Sequence, residues 1–491
     1  MKKKINLILF LLITINTSRA QVQKLTLLKA IDFAKSNSIE AKSALNNAKY
    51  AFWNYKGYNA TFLPKLSLQG TLPDYYRTIN TLTQPNGEIR FIGQNVANSS
   101  LSFNLMQNIR STGGQLTLGS NLSRIDNFGN YRNKNYTAIP FTVSYNQRNI
   151  LFNEFRWLSK IEPLKVKEAK SEYLENLENI GYTTVSRFFE LLIAKRQLEL
   201  DQQNLKNLDT LSKLTLARSE IGTVAKNEVL QAKISIVSAR TSLASSKLAM
   251  QSARQRLIQY LNIESDSLEL SVPEASRFFE VDKTVAMAMA HKNRKLVIEF
   301  SRRRLEAEQS IAKAKSEGRP TFDIRLNLGV TQTGNSFQQS YQQLYRNQSV
   351  TLNFNIPVMD WGVNRINRRR AETAMEMEKS LMQQQQYSFE QEITTMLEKW
   401  HSQRERLELA LSFQDLAQQR YDLAMQKYSL GKMTFTDFNN SQIDKDRSEI
   451  EYINSLREYW LCYYSLRALT LYDFDAGIEI SDQVNIMALD K

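Results

Sequence analysis

The chain has 491 residues and a formal charge of +14, with one cysteine and two histidines. Cys462 alone excludes an intramolecular disulfide, and His291 and His401 are too few for a histidine-based metal centre. The positive balance raises the question of a nucleic-acid partner, yet its densest runs, Arg302 to Arg304 and Arg368 to Arg370, lie in helical stretches among Glu and Gln. They read as solvated helix faces.

Residues 1–20 have the layout of a secretory signal peptide: Lys2, Lys3 and Lys4, an apolar run from Ile5 to Ile15, then Ser18-Arg19-Ala20. Gln21 is the expected mature N-terminus, and no cysteine follows Ala20 to carry a lipid anchor. No later segment approaches about 18 uninterrupted apolar residues, so no helix is expected to span a bilayer, and any membrane entry falls to strands.

A first repeat is read over residues 21–272. A short helix ends at Asn37, and a second is closed by Pro64. The period then changes to two at Leu66, Leu68, Gly70 and Leu72. It recurs at Leu101-Phe103-Leu105, Leu116-Leu118-Ser120-Leu122 and Phe141-Val143-Tyr145, giving four strands within about 65–148 and a tight turn at Ser111 to Gly114. Residues 164–272 contain no proline, so a long helical hairpin is expected over 153–262. Pro163 would occupy the first turn of its outgoing arm, Gly222 would cap that arm in the left-handed conformation, and the return arm would end near Asn262.

The second repeat, 273–480, follows the same plan: a short helix to Asn293, another to Pro320, and two strands within about 321–357 (Ile324 to Val330, Val350 to Ile356). A proline-free hairpin over 363–472 turns at Gly431, with Leu409, Leu416, Leu423 and Leu430 as a ladder on its first arm, and residues 481–491 form a tail. After Gly222 bulky residues recur every seventh place from Val229 to Leu257, and small ones from Ala225 to Ala253. Shifted by 209 positions, the scheme falls on Phe438 to Leu466 and Thr434 to Cys462, with Lys445 the exception. Such a repeat means helices packed knobs-into-holes. The strand region of the first repeat is 49 residues longer than that of the second, enough for one more long hairpin.

The helices satisfy one another through these seams, which leaves the apolar faces of the strands without a partner. An outer membrane supplies one if the sheet closes into a barrel. Six strands are too few for a duct, so several chains would share it. Ser67, Gln69, Ser102, Asn104, Thr117, Thr142, Asn353 and Asn355 would then face a wet lumen, with every helix on the periplasmic side. The alternatives are a sheet stacked on a soluble domain and a periplasmic coiled-coil scaffold that never inserts. Aromatic girdles suit the barrel: Tyr75, Tyr76, Phe91, Tyr131, Tyr136, Tyr341 and Tyr345 outside, and Phe62, Phe152, Trp157 and Trp361 at the inner rim. The basic group Arg365, Arg368, Arg369 and Arg370 begins below that rim, where ion pairs to neighbouring helices or anionic lipid would engage it.

The duplicated unit, Phe62-Leu63-Pro64-Lys65-Leu66 before the first strand, Asn355-Ile356-Pro357-Val358 after the last, and the turns Gly222-Thr223 and Gly431-Lys432 together resemble TolC-type outer-membrane efflux proteins. The resemblance implies an α+β membrane protein: a homotrimeric outer-membrane β-barrel continued by a long periplasmic α-helical barrel, in a Gram-negative cell. It implies the passive conduit of a tripartite efflux pump or type I secretion system, with no catalysis, cofactor or nucleic acid, and with outer-membrane lipid around it. A periplasmic adaptor, docking at Gly222, Thr223, Gly431 and Lys432, and an inner-membrane transporter would be its partners. Acidic rings would close the periplasmic tip, and the matching positions are Asp437 and Asn440, with Glu228 in the first repeat. Thr434-x-x-Asp437 equally has the spacing of a helix capping box. Where a basic tether is expected after the second glycine stands Met433. Six strands would give eighteen in a trimer rather than twelve, unless a hairpin between about Leu101 and Tyr145 folds across the mouth or lies outside.

Overall fold

The computed structural model describes residues 23–483, apart from 130–131, 264–267 and 276–277. The segment read as a signal peptide, Tyr131 and most of the tail lie outside the described residues.

The first repeat comprises β1 (Gln23–Leu25), α1 (Leu27–Asn37), α2 (Ile39–Ala60), β2 (Lys65–Thr83), β3 (Ile89–Asn108), β4 (Gln115–Asn127), β5 (Asn133–Gln147), α3 (Glu154–Glu220) and α4 (Lys226–Leu261). It ends with β6 (Leu268–Leu270), and the second comprises α5 (Lys283–Asn293), α6 (Lys295–Glu317), β7 (Thr321–Gly334), β8 (Tyr345–Asn355), α7 (Val363–Ser429) and α8 (Phe435–Thr470), followed by β9 (Tyr472–Asp473), β10 (Ile478–Glu479) and α9 (Ile480–Gln483). The duplication holds to the residue in the long helices: α3 and α7 have 67 residues each, and α4 and α8 have 36 each.

Pro163 is not in the first turn of its helix, as expected, but inside α3. The helix starts earlier because Asn153 caps it, its Oδ1 accepting from the Arg156 amide at 3.1 Å while its Nδ2 donates to the carbonyls of Arg110 and Ser111. The backbone bond that Pro163 omits costs less than ending a helix that buries Ile161, Leu174 and Leu177.

The chain divides into two compact units. One, made of residues 49–169 and 296–386, contains a single antiparallel sheet in the order β2-β3-β4-β5-β7-β8. Register puts Leu68, Phe103, Leu105, Leu118, Val143, Leu326 and Leu352 on one face. The eight polar residues expected in the lumen all fall on the other, where Asn121 donates to Ser102 at 2.6 Å and Asn327 to Ser349 at 3.1 Å. Pro73 and Pro140 both sit where the register slips by one residue, so the missing amide falls at a bulge. The hairpin between Leu101 and Tyr145 neither folds back nor leaves the sheet, since every strand in it pairs with both neighbours.

The arginine runs are mostly neutralised. Arg302 donates to Glu168 at 2.5 Å and Glu306 at 2.8 Å, Arg303 pairs with Glu299 and Glu378, and Arg304 with Glu308. Arg368 and Arg369 share Glu372 of their own helix, not a neighbouring one.

The other unit, residues 1–48, 170–295 and 387–491, packs α1, the start of α2 and α4 against the middle of α3, with α8 joined to α3 by Arg467 and Glu178. β1 pairs with β6 in parallel. Gly181, within α3, has no room for a Cβ, which would meet the Tyr464 ring at 2.7 Å. Cys462 is buried in the small-residue stripe, and burial pushes its thiol up to about 11. Glu178 is 2 % exposed between Lys35 (2.6 Å) and Arg467 (2.7 Å), and Arg467 also holds Asp473. Burial alone would raise the Glu178 carboxyl, but the two cations hold it below its ordinary value. Its stabilisation is therefore present at neutral pH and lost as the pH falls through that depressed value. Glu178→Ala is expected to cost about 3–5 kcal/mol by stranding buried cations; thermal unfolding of the detergent-solubilised protein at pH 7 checks this, and an unchanged midpoint would refute it.

Candidate gate at the helical turns

Both turns form the left-handed cap expected from their glycines, with φ of 75° at Gly222 and 73° at Gly431. Thr223 N donates to the Arg218 carbonyl at 3.0 Å, and Lys432 N to that of Lys427 at 2.9 Å, so the two copies close alike. Gly222, Thr223, Gly431 and Lys432 are all exposed.

Asp437 occupies the first turn of α8. Its carboxylate accepts from the Thr434 hydroxyl at 2.7 Å, and Thr434 Oγ1 accepts from the Asp437 amide at 3.2 Å. Capping is thus realised, and Asp437 remains exposed. Glu228 stands half-buried in the first turn of α4 and Asn440 exposed in α8, and no hydrogen bond joins either to Asp437.

The two turns are joined by residues that the sequence reading did not single out. Arg218, at the end of α3, donates to the carbonyl oxygens of Tyr428 (3.0 Å) and Ser429 (2.8 Å) in the last turn of α7. The Tyr428 carbonyl also accepts from the Gly431 amide at 3.0 Å, and a cation is favoured at this negative helix end. The guanidinium also lies 5.7 Å from the Tyr428 ring centroid, and the Tyr428 hydroxyl meets Thr215 Oγ1 at 2.6 Å. Tyr428 stacks on Phe438 and, with Phe435, Leu208, Leu211 and Ala232, forms a buried knot of all four arms. Met433 packs against this knot, and the basic side chain that reaches the end of α7 is Arg218 of the opposite hairpin. A signal did exist: the position equivalent to Tyr428 in the first copy is Ser219, and such asymmetry within a duplication marks a contact made once.

Farther from the turns, Arg196 pairs with Glu449, Asn204 bonds Asp446 and Gln442, and Lys445 lies 3.2 Å from Glu449 and 5.3 Å from the Tyr421 ring centroid. Lys445 thus breaks the heptad scheme because it belongs to a polar belt. Burial pushes the Asp446 carboxyl up there.

The fold is similar to that of known channels. It resembles the CmeC outer membrane channel of Campylobacter jejuni, with a TM-score of 0.68 at 14% identity, covering 95% of this chain and 89% of that one. The outer-membrane channel OprN gives 0.66 at 14% identity, covering 90% and 89%, and VceC of Vibrio cholerae gives 0.63 at 13%, covering 90% and 96%. Comparison with curated protein sequences finds no significant match. The sequence pattern of the outer membrane efflux protein family matches residues 115–262 and 287–470. With both halves of its duplication matched and the channel fold complete, this chain belongs to the outer membrane efflux protein family.

Proposed function

We propose that three copies of the chain close one eighteen-stranded barrel in the outer membrane and form a passive export duct, shut at its periplasmic end by the clasped helical turns. The supporting observation is the sheet itself. Its apolar face is exposed, and its edge strands β2 and β8 are both unpaired on one side and run in opposite directions. Neither edge can face lipid, and β8 of one copy meets β2 of the next as an antiparallel pair. The soluble-scaffold alternative leaves that face and both edges without cover. The duct would work with a periplasmic adaptor seated on the exposed turns and an inner-membrane transporter that supplies the energy.

Detergent-extracted protein is expected to migrate as a heat-resistant trimer and to insert into planar bilayers with small currents. Extraction by salt alone would overturn the reading. Three Asp437 carboxylates ringing the throat would favour cations. Asp437→Ala should shift the reversal potential under a salt gradient toward zero, while Asp437→Asn retains the cap but loses the charge and should shift it equally. A shift only in the alanine variant would assign Asp437 to capping alone.

A further inference from the structure

At the end of the sheet nearest α3 lies an open groove of about 720 Å³ on the apolar side. Tyr145 and Ile324 line it, and both belong to the lipid-facing set by register. They stand on β5 and β7, each paired on both edges, so no strand of a second copy can occupy this place. The groove is floored by Trp157 and by Leu151, which is half exposed, and its rim carries Arg156 and Lys160, one helical turn apart on α3. The Lys160 ammonium lies 5.6 Å from the Trp157 ring centroid. Neither Arg156 nor Lys160 has a carboxylate partner among the described residues, whereas Arg302, Arg303 and Arg304 of the same unit are all paired. Glu162 pairs with Lys165 at 2.8 Å, Asp323 accepts from the Asn149 amide at 2.9 Å, and Glu154 in the first turn of α3 forms no ion pair with either cation.

Tyr145 and Ile324 continuous with the lipid-facing surface, polar neighbours Ser111, Thr112 and Gln147, a tryptophan and two cations without carboxylate partners suit an amphiphile with an anionic headgroup. Resting on the outer-membrane reading above, we propose that this groove seats an anionic phospholipid of the inner leaflet, its phosphate between Arg156 and Lys160 and its acyl chains along Tyr145 and Ile324. One lipid per copy would sit where the strands give way to the long helices.

The test uses the full chain, purified in detergent and exposed to palmitoyl-oleoyl phosphatidylglycerol, the matching phosphatidylcholine, or inorganic phosphate, with retained adducts counted by native mass spectrometry. Wild type is expected to keep phosphatidylglycerol at least tenfold better than phosphatidylcholine. Arg156→Gln with Lys160→Gln should remove that preference, whereas Lys134→Gln on β5 should not. Equal retention of the two lipids, an unchanged double variant, or displacement of phosphatidylglycerol by an equal concentration of inorganic phosphate would each overturn the proposal, the last leaving a free-anion site only. The single variants, each removing one exposed charge, carry the test if the double variant fails to assemble. Channel currents from the same preparations separate the two failures, since a conducting protein without lipid preference overturns the lipid site alone.

Discussion

Arg218→Ala is expected to conduct several-fold more current than wild type in a planar bilayer. The substitution removes two charge-assisted bonds to the carbonyls of Tyr428 and Ser429, and nothing else on α3 reaches them. At this partly exposed site such bonds contribute at the low end of their range, about 1.5 kcal/mol in all, which is about a tenfold shift in the closed-to-open ratio per copy. Tyr428→Phe loses only the bond to Thr215, which also donates to the Leu211 carbonyl, so its effect should be smaller and in the same direction. Arg218→Lys keeps the charge but not the fork that spans two carbonyls, and should fall between. Wild-type conductance from Arg218→Ala would remove the clasp from the gating account.

Deleting residues 65–113 is expected to leave a functional but narrower duct. The deletion removes β2, β3 and their turns, and the family pattern begins at residue 115, the first residue of β4. Its ends are close in space: the Asn108 side-chain Nδ2 donates to the Thr61 carbonyl at 2.9 Å, and Ile109 N to that of Gly114 at 2.8 Å. Because β4 runs in the same direction as β2, the remaining four strands still offer an antiparallel seam. Three copies would then close with twelve strands instead of eighteen, and a diameter that grows roughly linearly with strand number falls by about a third. Partitioning of polyethylene glycols of graded size from the outer side measures this. An unchanged cut-off would mean that the hairpin lies outside the wall. Removing only residues 78–93, the part of the hairpin beyond the last β3–β4 pair, should leave the cut-off unaltered.

The long helices and the alternating faces were legible because each repeats a single periodicity without interruption: sevens from Val229 to Leu257, twos from Leu66 to Leu72. Where the period breaks, the sequence became silent. β2 runs on to Thr83, but the bulge at Pro73 swaps the faces, so Tyr75, Arg77 and Ile79 continue a side that began with even-numbered leucines. The early start of α3 was hidden because its capping residue, Asn153, is explained by a turn about forty residues away. The turn glycines announced themselves through backbone geometry that only glycine adopts cheaply. Arg218 did not, since its carbonyl partners lie 210 and 211 residues farther along and carbonyls leave no mark in the sequence.

The equal lengths of the paired arms make them matched rulers. Losing one residue from a 67-residue arm would retract its end by about 1.5 Å and rotate it by about 100°, carrying Tyr428 out of reach of Arg218. Side chains along the arms can be exchanged while the count is kept, but the count itself cannot drift in one arm alone. A chain under this constraint would shed most of its sequence likeness to other channels while retaining their dimensions, as the 14% identity and 95% coverage against CmeC illustrate.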